Sequence, residues 1–130
     1  MKPPCVIVVY YVLPAIRAIV AQKLVEKYNL RQVDAAARMG VAPAAVTQYV
    51  KGKRGSSLME AISQSERAVK IISDLAECLE REETPIDVIL NKTCEACSVI
   101  RSERLICDMH QVELQALREC RCNLCENTVC

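Results

Sequence analysis

The sequence predicts an all-α fold. Hydrophobic residues make up 52% of the 130-residue chain, yet Phe and Trp are absent and only four Tyr are present. An aliphatic, alanine-rich interior suits helices better than sheets, because alanine has a high helix propensity and aromatic residues are enriched in strands. Apolar residues also recur at helical spacing in several segments. The length allows one domain, or one small domain with an appendage.

The first predicted element lies in the apolar segment 5–21. Residues 6–13 fit a buried strand or a buried helix, since the run is too short for its periodicity to decide. Pro14 suits the first turn of a helix that extends to about Tyr28. Because Pro14 and Arg17 interrupt the run, it falls short of the roughly 20 apolar residues that a membrane span requires. We therefore expect a buried or dimer-forming segment in a cytoplasmic protein that does not contact the membrane.

Residues 30–55 carry the clearest local signal. Gln32 to Met39 is predicted to be a short helix, and Gly40 stands where a helix ends in a left-handed turn. Pro43 suits the first position of a second helix that ends at about Val50. Two helices joined by a three-residue turn containing Gly are typical of a helix-turn-helix.

The segment after this motif predicts a connecting helix from Leu58 to about Glu80. Its apolar residues repeat at alternating spacings of four and three, a heptad-like stripe that is a candidate dimer surface. The stripe consists of Leu58, Ile62, Val69, Ile72, Ala76 and Leu79. Thr84 and Pro85 are predicted to cap and start a helix to about Asn91, and a last helix is expected within 109–119. The predicted divisions are 1–57 for the DNA-binding domain, 58–83 for the connecting helix and 84–130 for a cysteine-rich lobe.

Charge is segregated along the chain. Residues 22–54 contain seven basic and two acidic side chains, whereas residues 55–130 contain eight basic and fourteen acidic ones. A basic segment beside an acidic one is expected if only the first meets a phosphate backbone. This pattern favours double-stranded DNA as the partner.

Residues 30–55 resemble the helix-turn-helix of Cro and lambda-repressor type regulators. More narrowly, most of the chain resembles a family of small, mainly archaeal, predicted transcriptional regulators. The features shared with that family are Val-Leu-Pro-Ala-Ile-Arg at 12–17 and, after the helix-turn-helix, Cys94, Cys97, Arg101, Cys107 and His110. Thr47, where a Ser is common, and the cysteine-dense tail depart from the pattern. The resemblance implies a Cro/lambda-repressor-like fold and a sequence-specific DNA-binding regulator.

The second helix of such a motif enters the major groove. Gln48 can form two hydrogen bonds with adenine, and Thr47 can contact a thymine methyl group or a phosphate. Basic residues at the end of this helix would contact phosphates, as could Arg31 at the start of the first helix. The predicted DNA-binding residues are Gln32, Ala44, Ala45, Thr47, Gln48, Lys51, Lys53 and Arg54. We expect a homodimer on a roughly palindromic site, with half-sites about 34 Å apart.

Seven of the nine cysteines lie between residues 94 and 130. A Cys-x-x-Cys pair on a tight turn can present two thiolates to one metal ion, and a second pair could complete a zinc site. An iron–sulfur cluster, 4Fe–4S in type, is favoured because seven cysteines exceed the four that zinc needs, and a cluster responds to redox state. The predicted ligands are Cys94, Cys97, Cys107, Cys122 and Cys125. Zinc and thiol–disulfide switching stay open, as does a contribution from Cys120, Cys130 or His110.

No catalytic motif is recognisable. The sequence contains no phosphate-binding glycine loop, no nucleophile–histidine–carboxylate set and no zinc-plus-glutamate motif. We therefore expect no enzyme and no small-molecule substrate. The expected function is a DNA-binding regulator whose iron–sulfur cluster senses oxygen or redox state. The alternatives are a regulator with a structural zinc, and an iron–sulfur electron-transfer or assembly protein that does not bind DNA.

Overall fold

The computed structural model describes residues 3–115, apart from the side chain of Glu113. All regular elements in this range are helices, which confirms the predicted all-α class. The seven helices are α1 (Pro4–Lys27), α2 (Gln32–Met39), α3 (Pro43–Val50), α4 (Met59–Ser63), α5 (Glu66–Glu80), α6 (Ile86–Ser102) and α7 (Cys107–Glu113). A single 3₁₀ turn, Ser56–Leu58, precedes α4.

Helix α1 continues through Pro14, so the helix start predicted at Pro14 and the strand considered for residues 6–13 are both wrong. Proline lacks an N–H group, and its ring crowds the carbonyl four residues earlier. The turns immediately before it, Val8–Val12, are wider and of π type, and the Leu13 N–H bonds to the Val8 carbonyl. This widening is what allows the proline inside the helix, because a π-type turn does not require the usual bond to the fourth preceding residue.

Helix α1 lies at the centre of the fold and packs against α2, α3, α5 and α6. Its inner face buries Ile7, Val12, Ile16, Val20 and Leu24. Among residues 3–115 it is the one helix that is long and apolar enough to cross a membrane, with a mean hydropathy of 2.0. The expectation that the apolar run is too short for a membrane span is therefore wrong, because the helix continues through Pro14 and Arg17; half of its apolar stretch is buried inside the protein.

The predicted connecting helix, Leu58 to Glu80, is broken in two. Gln64 and Ser65 separate α4 from α5, and the Ser65 hydroxyl accepts a hydrogen bond of 3.2 Å from the Ala68 N–H, which caps α5. Most of the apolar stripe is buried within the chain: Leu58, Ile62, Ile72, Ala76 and Leu79. The expectation that this stripe forms a dimer surface is therefore wrong, because its side chains already pack in the monomer.

Helix α6 extends well beyond the end predicted near Asn91 and reaches Ser102. Its N-cap is Pro85, with no side-chain capping bond, so Thr84 does not cap it. Arg104 takes a left-handed conformation (φ 62°), and the Leu105 N–H bonds to the Ile100 carbonyl, which turns the chain toward α7. Helix α7 begins at Cys107, two residues before the predicted start, and the predicted end at Glu119 lies outside the described residues.

One buried cluster joins these helices. It extends from Ile7 in α1, through Val46 in α3 and Ile72 in α5, to Ile100 in α6 and Ile106 before α7. Residues from all three predicted divisions, 1–57, 58–83 and the described part of 84–130, contribute to it. The described portion of the cysteine region is thus packed on the same core as the α2–α3 pair.

Candidate nucleic-acid interface and cysteine region

Helices α2 and α3 have the bounds that the sequence predicts. Gly40 is left-handed (φ 67°), and its N–H bonds to the Ala37 carbonyl, while the Val41 N–H bonds to the Ala36 carbonyl at 3.0 Å. These two bonds form a Schellman motif, which ends a helix and reverses the chain within a few residues. Pro43 then starts α3, so the two helices are joined by a short, well-defined turn.

The inner faces of this pair hold its two helices together. Ala36 and Val46 are buried, and Met39 and Val41 pack half-buried against the same core. At the end of α3, Tyr49 is 1% exposed, and its carbonyl accepts a hydrogen bond of 3.2 Å from the Gln22 amide of α1. The pair is therefore anchored to α1 through one face of α3.

The opposite face of α3 is exposed. Ala44, Gln48 and Lys51 are all exposed and lie four and three residues apart, which places them on one side of the helix. The predicted residues Ala45 and Thr47 beside them are half-buried. Together they form a continuous surface that combines small, amide and basic side chains.

The loop after α3 brings further basic side chains to the same end. Gly52 is left-handed (φ 72°), and the Lys53 N–H bonds to the Gln48 carbonyl at 2.9 Å in a second Schellman motif. Lys53 and Arg54 are exposed. The Arg54 guanidinium lies 5.5 Å from the centre of the Tyr49 ring, a cation–π contact that restrains its side chain.

Gln32 and Thr47 are bonded to each other. The Thr47 hydroxyl lies 2.6 Å from the Gln32 side-chain oxygen and 3.2 Å from the Pro43 carbonyl. A hydroxyl has one proton to donate, so in the free protein it is engaged within the α2–α3 pair. The Gln32 NH₂ group takes no part in this bond. The predicted pair of DNA-binding residues thus also fixes the angle between the two helices.

Arg31, considered as a phosphate contact, already has an acidic partner. Its guanidinium lies 2.9 Å from the Asp34 carboxylate in the first turn of α2. The hydrogen bond from Arg31 lowers the pKa of Asp34 below its ordinary value of 3.8. The ion pair offsets part of the positive charge at the start of α2.

Sequence reasoning missed the role of Arg38, which was considered only for its charge. Its guanidinium donates to the Leu79 carbonyl at 3.1 Å and to the Glu80 carbonyl, and it pairs with the Glu82 carboxylate at 2.9 Å. These groups lie at the end of α5 and just beyond it, where helix carbonyls lack intrahelical partners. We call this set of bonds the Arg38 clamp; it joins the last turn of α2 to the end of α5.

The Cys-x-x-Cys pair does not lie on a tight turn. Cys94 and Cys97 are both inside α6, the first exposed and the second 6% exposed. Cys107 is half-buried at the start of α7. The expectation of a metal-binding turn here is wrong, because the i, i+3 spacing that suits such a turn also suits one face of a helix. The two cysteines outside this region also differ, since Cys5 is exposed and Cys78 is half-buried.

Within residues 3–115, no three His, Cys, Asp or Glu side chains are grouped closely enough to hold a metal ion. A zinc site needs four ligands and a 4Fe–4S cluster needs four thiolates. The remaining predicted ligands, Cys122 and Cys125, lie outside the described residues, as do Cys120 and Cys130. The described cysteines alone therefore do not supply the ligand set for either centre.

Arg101 and His110 are the buried polar residues among the described residues of α6 and α7, each with only 4% exposure. Each has interaction partners within the protein. Nearby on the chain, the Glu103 carboxylate accepts a hydrogen bond from the Ser65 hydroxyl and lies 3.8 Å from Arg67. In the sequence, Arg101 was singled out only as part of the motif that extends from Cys94 to His110. The structure places its side chain in the protein interior.

No protein-family model, curated protein or solved structure matches the chain.

Proposed function

We propose that the protein is a DNA-binding regulator that places α3 in the major groove of duplex DNA. The observation that carries this proposal is the two-sided character of α3. Val46 and Tyr49 fix its inner face in the core, while Ala44, Gln48 and Lys51 are exposed on the outer face. A helix held in this way can enter a groove without disturbing the core.

Size and charge support the same proposal. An α-helix with its side chains is about 10–12 Å across, which fits a major groove of about 12 Å width, and α3 has eight residues to present there. Gln48 would contact base edges, while Lys51, Lys53 and Arg54 would contact the flanking phosphates. Gln32 at the start of α2 would donate its amide to a phosphate, with Thr47 setting its orientation.

A regulator with one short reading helix gains affinity and specificity by acting as a dimer, and we propose a cytoplasmic homodimer on a palindromic site. With the 58–79 stripe buried, the remaining predicted dimer segment is the start of α1. Val9 and Tyr10 there are 58% and 70% exposed, which leaves an apolar corner for a second copy. Sedimentation of the wild type and of Tyr10→Lys tests this surface; an unchanged dimer in the variant would contradict it.

For the cysteine region we propose an iron–sulfur cluster that uses tail cysteines in addition to Cys94, Cys97 and Cys107, with zinc as the alternative. Seven cysteines within 94–130 support a metal centre, although the described part alone lacks the ligands. Metal and sulfide analysis of protein purified without air tests this directly. The DNA contacts proposed above do not depend on the centre.

The DNA proposal is tested by selection from a randomised duplex pool, followed by fluorescence anisotropy titrations at several salt concentrations. We expect salt-dependent binding to a selected sequence. Gln48→Ala should lose about 1–3 kcal/mol and relax specificity at one position, because a base contact is removed. Lys51→Ala should weaken binding to all sequences alike and reduce the salt slope by about one, because a phosphate contact is removed.

Lys70→Ala is the matched control, since Lys70 is an exposed lysine on α5 away from α3. It should leave both affinity and salt slope unchanged. A folded protein that ignores duplex DNA at low salt would contradict the proposal and favour an iron–sulfur electron-transfer or assembly protein. Equal losses in Lys51→Ala and Lys70→Ala would also contradict it, because binding would then follow overall charge alone.

A further inference from the structure

A cleft of about 340 Å³ lies between α1, α2, α5 and α6. Its walls are mainly aliphatic, with Ile16 and Val20 from α1, Leu75 and Leu79 from α5, and Ile89 from α6. The volume is at the lower end of the roughly 300–1,000 Å³ typical of small-molecule sites. Its lining suits a ligand with a hydrocarbon part.

Two large apolar residues that line the cleft are exposed to solvent. Ile86 is 68% exposed and Leu90 is 58% exposed, both on the first turns of α6. Exposed aliphatic groups beside an apolar cleft mark a surface that gains free energy when a hydrophobic group covers it. A bound hydrocarbon chain would extend the contact from the cleft onto these two side chains.

The cleft also contains an available cation. Arg17 lines it and is exposed, and within residues 3–115 it forms neither a hydrogen bond nor an ion pair. Arg38, the other cation of the lining, is engaged in the clamp to Glu80 and Glu82. A guanidinium presents a planar fork of N–H donors that matches a carboxylate, and such bonds are stronger beside apolar walls than in open water.

We propose that this cleft binds an apolar carboxylate, with its hydrocarbon chain on the aliphatic walls and its carboxylate on Arg17. Neither half of the site would hold such a ligand well alone. The walls contain no donor set for a very polar molecule, and a single exposed guanidinium binds acetate only weakly. The combination selects amphipathic anions such as medium-chain fatty acids.

The position of the cleft links the ligand to the reading helix. Ala37, Met39 and Gly40, which form the last turn of α2 and the bend into α3, are part of its lining. The Arg38 clamp crosses the same joint. A ligand that prefers one spacing of α2 and α5 therefore shifts the placement of α3, and with it the affinity for DNA. This regulatory step rests on the proposed DNA binding, whereas binding of the carboxylate does not.

Calorimetric titration of the full-length protein without DNA tests the site, with decanoate, decanol and acetate as probes. We expect one decanoate per chain, no binding of acetate, and decanol binding about tenfold weaker than decanoate. Arg17→Gln should reduce decanoate affinity about tenfold, to the level of decanol, and leave decanol affinity unchanged. Thr93→Leu, which fills the cleft from α6, should abolish binding of both long-chain probes while the circular dichroism spectrum is kept.

Arg67→Gln is the matched control, because Arg67 is an exposed arginine that does not line this cleft. It should bind all probes like the wild type. Failure of the folded wild type to bind decanoate would overturn the proposal. So would equal losses in Arg17→Gln and Arg67→Gln, or decanoate binding that persists in folded Thr93→Leu.

The regulatory step is tested by repeating the DNA titrations with saturating decanoate. We expect the DNA affinity to change at least about fivefold, and the decanoate affinity to change by the same factor when DNA is present. If decanoate binds but the DNA affinity is unchanged, the proposed coupling between the two sites is wrong, whereas the proposed carboxylate site is still supported. Absence of DNA binding in every condition would instead count against the proposed function, while the DNA-free titrations still decide the site.

Discussion

The α2–α3 pair and the α6–α7 region were both defined in the sequence by short spaced motifs, but only one of them has the local structure that its motif predicts. In α2–α3, the helix bounds and the left-handed Gly40 agree with the prediction. In α6–α7, the predicted metal-binding turn is the interior of a continuous helix, Ile86–Ser102.

The difference lies in what each motif constrains. Gly40 and Pro43 act on the backbone itself, because glycine permits a positive φ and proline fixes φ and removes a donor. Cys-x-x-Cys constrains no backbone angle, since its spacing serves a turn and a helix equally well. Backbone-determining residues therefore predict local structure, whereas ligand-type residues predict only what could be bound if other groups come close.

The largest expected effect tests whether the two regions are energetically one unit. Ile100 of α6 is fully buried in the cluster that also contains Val46 of α3. We expect Ile100→Ala to lower the free energy of unfolding by about 2–5 kcal/mol, because it leaves a cavity in this core. Hydrogen exchange measured by mass spectrometry should show faster exchange in α2–α3 peptides as well as in α6 peptides.

Val112→Ala is the control, because Val112 of α7 is 67% exposed and should contribute little. If Ile100→Ala accelerates exchange only in α6 and α7, the two regions unfold separately. The shared core would then be a contact between two units that unfold independently. The predicted domain boundary at residue 84 would be supported.

Two other elements were predicted wrongly for the same reason as the cysteine turn: the local pattern permits more than one backbone conformation. Pro14 indicated a helix start, yet the wide turns of Val8–Val12 accommodate it within α1. The stripe 58–79 indicated one long helix, yet Ser65 caps a new one. In both cases a residue shows only its local preference, while tertiary packing decides which permitted conformation is used: α1 packs against the surrounding helices, and α4 and α5 pack against α1.

The second prediction concerns two glycines, one in the turn between α2 and α3 and one in the loop after α3. Gly40 and Gly55 are both left-handed, but a Cβ on Gly40 would meet nothing within 4 Å, whereas one on Gly55 would lie 2.3 Å from the Pro14 carbonyl oxygen. We expect Gly40→Ala to cost about 1 kcal/mol, the conformational penalty alone. Gly55→Ala should cost about 2–4 kcal/mol, since the backbone of α1 cannot move aside easily.

Chemical denaturation of both variants measures this difference. Equal costs would mean that the loop after α3 is not seated against α1. The two positions look alike in the sequence, each a glycine in a loop that follows a short helix. What separates them is a contact with Pro14, forty-one residues away along the chain, and no local pattern contains that information.

The smallest expected effect concerns the exposed ion pair between Arg31 and Asp34 at the start of α2. The hydrogen bond from Arg31 lowers the pKa of Asp34, and Arg31→Gln should return that pKa toward 3.8. A carboxyl whose pKa is lower in the folded state stabilises the fold above the unfolded value, about 3.9, and loses this contribution as the pH falls through the folded value. The wild type should therefore be slightly more stable than Arg31→Gln at neutral pH, with the difference disappearing in acid.

A carbon-13 carboxyl titration followed by nuclear magnetic resonance measures the pKa of Asp34 in both proteins. An identical pKa would show that the Arg31–Asp34 pair does not persist in solution, and Arg31 would then be available for a phosphate. A higher pKa of Asp34 in Arg31→Gln would show that the ion pair persists in solution and that Asp34 offsets positive charge at the start of α2. DNA contact would then have to come mainly from Lys51, Lys53 and Arg54, whose side chains form no ion pair within residues 3–115. The electrostatic contribution to binding would in that case be concentrated at the end of α3, beside the base-reading face, rather than spread over both helices.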